Sequence, residues 1–272
     1  MTQNLKVALF VEGSHGIPDR SGVDSLVGLW RDVIAVQLQL RRIDRIIPIS
    51  KVELTMMDTG SIPRSSGKEP FDARLARELG RAPFDAAVVA WDLLPEWGDA
   101  QRCRWNETKN LFRLLGESKE ETLAAKWKEK ARARFENYEA RPSPPEGAGQ
   151  PVLEEYSILP VCMEADFEAL LMIDETVIRR CLGVEGHLNE WPAWPRLAET
   201  RKQKQKDVLQ KAITSARHLK TRKPIGDMKT NGHEWAAYFF KALFESSRSK
   251  DKLLNHPLAI RLQRVLSADR TT

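Results

Sequence analysis

Four short apolar runs divide the chain, and longer stretches of helical period lie between them. The first, "LKVALFV" over 5–11, is rich in Val, Leu and Phe and ends on Glu12 and Gly13; it predicts a buried strand. A polar loop over 13–22 follows. Apolar positions then recur at helical spacing over 25–42, with Ser21 or Asp24 placed to cap the helix. A second strand is expected over 45–50, and a loop carrying Gly, Ser and Pro over 57–70. Residues 71–80 read as a short amphipathic helix closed by Gly80. "FDAAVVAWD", over 84–92, is again an apolar strand that runs into an acid. Strand, helix, strand, helix, strand is the α/β pattern, with a mainly parallel sheet flanked by helices.

Beyond Asp92 the period is helical over 99–140, and "RPSPPEGAGQP" over 141–151 is too rich in Pro and Gly for either regular element, so it reads as a flexible linker. The last apolar run covers 156–162. A helix is expected over 166–181, with Phe167, Leu170, Leu171, Val177 and Ile178 along one side, and further helices over 195–219, 234–246 and 252–266. The pattern divides the chain into an α/β domain over 1–182, with a helical insertion at about 99–150, and a helical region over 183–272.

Composition narrows the setting. The 272 residues are 42% hydrophobic and 30% charged, as in globular proteins, and no stretch approaches the roughly 20 apolar residues of a membrane span. The start shows neither a basic segment with an apolar core nor a cleavage site, so no secretory signal is read and a cytoplasmic location is expected. The three cysteines are scattered, which argues against a Cys-based zinc site, and the five histidines form no HExxH or HxxxH pair. A net charge of +5 and a pI near 9.1 favour polyanionic partners, mildly.

The acids then acquire meaning. In parallel α/β sheets, active groups gather at the carboxyl ends of strands. Glu12 and Asp92 both stand at such ends. If their strands are neighbours, the two carboxylates face each other across a short gap and repel unless a proton or cation lies between. A hard divalent cation suits oxygen ligands. In "CMEADFEALLMID", over 162–174, Glu164, Asp166 and Glu168 alternate, and two or three of them can point one way to finish that cation site or hold a second ion. Each acid also has an ordinary use, as a helix cap, as a dipole partner or in a loop ion pair.

The combination of "VALFVEGS", "AAVVAWDLLPEW" and "ADFEALLMID" resembles a TOPRIM domain, the metal-binding α/β fold of topoisomerases, primases and OLD-type nucleases. More narrowly, it resembles a TOPRIM-like bacterial family of unknown function, with Asp166 where that family carries the first Glu of its E-F-E-A-L-L segment. "KTNGHEWAAYF", over 229–239, looks like the family's late Lys–Gly element. The resemblance spans residues 5–240. One departure concerns the second acidic motif, usually Asp-x-Asp. This chain has Asp92-Leu93-Leu94, and the nearest spare acids are Glu96 and Asp99.

The resemblance implies Mg²⁺- or Mn²⁺-dependent nuclease chemistry. Glu12, Asp92 and Glu96 are candidate ligands of one ion, Asp166 and Glu168 complete it or hold another, Glu12 can instead act as general base, and Lys229 stands near the phosphate. The stretch over 200–223 has nine Lys or Arg and one acid, Asp207; Lys202, Lys204, Lys206, Lys211, Arg217, Lys220, Arg222 and Lys223 suit contact with a DNA or RNA backbone. Trp191 and Trp194 before it either stack on bases or anchor a turn, and His15 lies in the loop after Glu12. The family context adds anti-phage defence and a partner ATPase, since this chain has no GxxxxGK[ST] phosphate loop of its own. The competing reading is a non-catalytic subunit that binds nucleic acid or the ATPase and keeps only the fold.

Overall fold

The computed structural model describes residues 5–13, 26–60, 68–92, 104–145, 152–163, 167–183, 209–214 and 228–267. Four parallel strands form one sheet flanked by helices: β1 (Val7–Glu12), β2 (Ile43–Ile49), β3 (Ala86–Asp92) and β4 (Ile158–Met163), in the order β2-β1-β3-β4. The inner strands β1 and β3 are buried along almost their whole length, and such two-sided burial is why they read as unbroken apolar runs. Their register pairs Val7 with Ala86 and Val11 with Ala90. The two outer strands are the ones that contain proline, Pro48 in β2 and Pro160 in β4.

The chain folds as two compact units. The first comprises Met1–Ser14, Arg42–Trp91 and Cys103–Cys162; the second comprises His15–Arg41, Asp92–Arg102 and Met163–Thr272. The units interleave along the chain.

In the first unit, β2 leads into α2 (Lys51–Thr59) through Ser50. Its hydroxyl accepts the Glu53 N–H while the Glu53 carboxylate accepts the Ser50 N–H, and Gly60 closes the helix at φ +65°. The sequence reading left the end of this helix in a loop. The capping box decides otherwise. Next come α3 (Phe71–Arg81), α4 (Arg104–Gly116) and α5 (Ala125–Glu139). Phe71 packs edge-on between Phe10 of β1 and Trp91 of β3, with both ring centroids at 5.9 Å. Tyr138 packs at a tilt against Trp105 at 4.9 Å and edge-on against Phe112 at 5.6 Å, joining α4 to α5.

In the second unit, α1 runs through Leu26–Gly28, a π-helical turn over Leu29–Ile34, and Ala35–Gln37. The helix expected over 166–181 is broken. Phe167–Leu170 forms a 3₁₀ turn, and α6 (Glu175–Leu182) starts afresh at Asp174, whose carboxylate accepts the Thr176 N–H at 3.0 Å. Helices α7 (Met228–Glu245), α8 (Ser247–Leu254) and α9 (Pro257–Leu266) complete the unit, and α7 packs on α1 and α6. No helix of the described residues is long and apolar enough to cross a membrane.

Candidate functional site

From β1 the chain passes to β2 on one side of it and later returns to β3 on the other, so the strand order reverses between β1 and β3. In open parallel sheets, ligands bind outside the carboxyl ends of the strands at this reversal. Glu12 is the last residue of β1 and Asp92 the last of β3. The carboxyl end of β2, by contrast, is closed by its own ion pair. Arg74 Nη1 lies 2.5 Å from Glu53 Oε1 and 3.0 Å from the Pro48 carbonyl oxygen, while the Ser50 hydroxyl donates to Glu53 at 2.6 Å. Burial pushes the Glu53 carboxyl up, but the Ser50 hydrogen bonds and Arg74 outweigh it and hold the group below the usual glutamate range.

Glu12 is engaged by a residue that sequence reading missed. Arg104, the first residue of α4, donates from Nη2 to Glu12 Oε1 at 2.7 Å and from Nη1 to Glu107. The Arg104 and Glu12 side chains are only 6% and 13% exposed, so this pair is shielded from water. The guanidinium lies 6.0 Å from the centroid of the buried Trp91 ring, whose indole nitrogen meets no acceptor among the described residues. One arginine among 43 basic residues carries no sequence signal of such a role.

Asp92 does something different. Its Oδ1 accepts the Phe167 N–H at 3.1 Å, which draws the 3₁₀ turn of the "FEAL" segment onto the end of β3 across 75 residues of sequence. Glu168, half-buried, is the second residue of that turn, and its carbonyl oxygen accepts the Leu171 and Met172 N–H groups at 2.9 and 3.2 Å. With Val11 opposite Ala90, Glu12 falls level with Trp91, and both turn toward Arg104. Asp92, one residue further, leaves the sheet on the opposite face.

Of the other expected residues, Glu96, Glu164, Asp166, His15, Trp191, Trp194, Lys202, Lys204, Lys206, Arg217, Lys220, Arg222 and Lys223 lie outside the described residues. Lys211 is exposed on the helical stretch 209–214, and Lys229 lies in the first turn of α7. Among the described residues no three His, Cys, Asp or Glu come together as a metal site. Asp92 and Glu168 each carry carboxylate oxygens, the donor type that a hard cation takes. No family model, curated protein or solved structure matches the chain.

Proposed function

We propose that this protein is a Mg²⁺- or Mn²⁺-dependent nuclease of TOPRIM type that hydrolyses phosphodiesters of DNA or RNA in the cytoplasm, as an effector of anti-phage defence beside a partner ATPase. The observation that carries the reading is the Asp92–Phe167 hydrogen bond, which brings the acid of β3 to the acidic turn that follows β4. Asp92 and Glu168 would hold the cation, with Asp166 added by the family resemblance. When bound, that ion supplies charge neutralisation on the phosphodiester and an activated water. The chain's own residues do the rest. The Phe167 N–H fixes the Asp92 carboxylate, and the lysines and arginines over 200–223 hold the nucleic-acid backbone. Purified protein with Mn²⁺ is expected to cleave plasmid DNA, single-stranded DNA or tRNA, and Asp92→Asn to lose at least about a hundredfold in rate. Intact substrates with all three nucleic acids, in either metal, would overturn the reading.

A second reading has its own support in the Arg104–Glu12 pair. A carboxylate held by a shielded guanidinium is withdrawn from metal binding, as expected of a subunit that keeps the fold and binds without cutting. Retarded but uncut nucleic acid in every metal would favour it.

A further inference from the structure

Between α8 and α9 stand only Asn255 and His256. His256, half-buried, closes the first helix and opens the second. Its N–H donates to the Leu253 carbonyl at 3.1 Å, its carbonyl accepts the Ile260 N–H at 3.0 Å, and its Nδ1 accepts the Leu258 N–H at 3.2 Å. Pro257 has no amide hydrogen, so Leu258 carries the first N–H of α9, and the imidazole is its acceptor. Ser, Thr, Asp and Asn are the usual caps here, and they accept at neutral and mildly acid pH alike. Imidazole does not. A proton on Nδ1 turns the acceptor into a donor and sets a positive charge against the positive end of the helix dipole. Beyond this cap, α9 is held by its buried face, with Leu258, Leu262 and Leu266, and by Gln263, whose Nε2 donates to the Leu38 carbonyl at 3.2 Å. We propose that His256 is a pH-sensitive latch on α9: neutral, it caps the helix, and protonated, it releases the Leu258 amide and frays the first turn. Burial holds the ring below the ordinary histidine value of 6.5, and Arg261, five residues on, lowers it further; among the described residues no charged group of α8 or α1 adds to this. Folding thus lowers the ring's affinity for its proton, so the cap's contribution is full above about pH 6.5 and is lost as pH falls through the lowered value. The latch does not rest on the nuclease reading.

An NMR titration of the intact, ¹⁵N-labelled protein between about pH 8 and pH 5 tests it. At the alkaline end the imidazole is expected as the tautomer with its hydrogen on Nε2, which leaves Nδ1 to accept. The ring nitrogens and the Leu258 amide should then share one midpoint, below the ordinary histidine value. Across that midpoint the hydrogen-exchange protection of the Leu262 amide, one turn further into α9, is expected to fall about fivefold beyond the intrinsic effect of pH. His256→Asn keeps a cap throughout this range and should hold that protection level. A Leu258 amide that ignores the titration of the ring, a midpoint at or above the ordinary value, or the same loss of protection in His256→Asn as in wild type overturns the latch. Should His256→Asn fail to fold, the wild-type titration decides alone: a shared midpoint below the ordinary value sustains the latch, and separate behaviour of ring and amide ends it.

Discussion

At the scale of single residues, burial rewrites side-chain chemistry that the sequence leaves open. Cys181 is 8% exposed at the end of α6, and burial pushes its thiol up to about 11, against a smaller opposing hydrogen bond from Tyr238. Its thiolate is therefore scarce at neutral pH. Alkylation of Cys181 by iodoacetamide at pH 8, read by mass spectrometry, is expected to run about a hundredfold slower than that of an exposed cysteine. Arg104 shows the same limit from the other side. Glu12 is legible because a carboxylate at the end of an apolar run is unusual. Its partner is not, because a distance of 92 residues is closed only by the fold. Nor was it legible which residue of β3 stands beside Val11, because register is fixed only in the folded sheet.

At the scale of elements, caps and close approaches decide what apolar spacing cannot. The Ser50-x-x-Glu53 capping box marks the start of α2 in the sequence itself, whereas the Gly- and Pro-rich composition after Met57 obscured the helix end. The break before α6 follows from Asp174, which satisfies the N–H of Thr176 better as a cap than inside a helix. Glu53 also predicts a pH effect. Its folded carboxyl sits below the usual range, so the stability it contributes is present above about pH 4.3 and is lost as pH falls through the lowered value. Glu53→Gln is expected to cost about 3 kcal/mol near neutral pH, by leaving Arg74 without its charge partner, and to flatten the acid limb of urea-denaturation midpoints. Gly80 of α3 offers a test of packing. A Cβ there would lie 2.3 Å from Thr122 Oγ1 and 2.7 Å from its carbonyl carbon. Gly80→Ala is thus expected to destabilise by about 2 kcal/mol, although Ala is normally favoured in helices. Gly116→Ala meets mainly the movable Arg132 side chain, at 2.7 Å from Cγ, and should cost less in the same melt.

At the scale of the whole molecule, the parallel α/β sheet was readable because its inner strands are apolar on both faces and alternate with helical period. The two interleaved units were not, because contacts between distant segments leave no periodic trace. The excess of nine basic residues over one acid in 200–223 predicts a bulk property: affinity for single- or double-stranded nucleic acid should fall about a thousandfold between 50 and 200 mM salt if about six phosphates are contacted, and fluorescence anisotropy across that range checks it. The placement of Pro48 and Pro160 has a further consequence. Each rim of the four-stranded sheet holds a residue with no amide hydrogen to lend, and β2 adds the exposed charges of Asp44 and Arg45. A foreign strand arriving at either side finds an interrupted template, so concentrated protein should resist growing end over end into cross-β fibres.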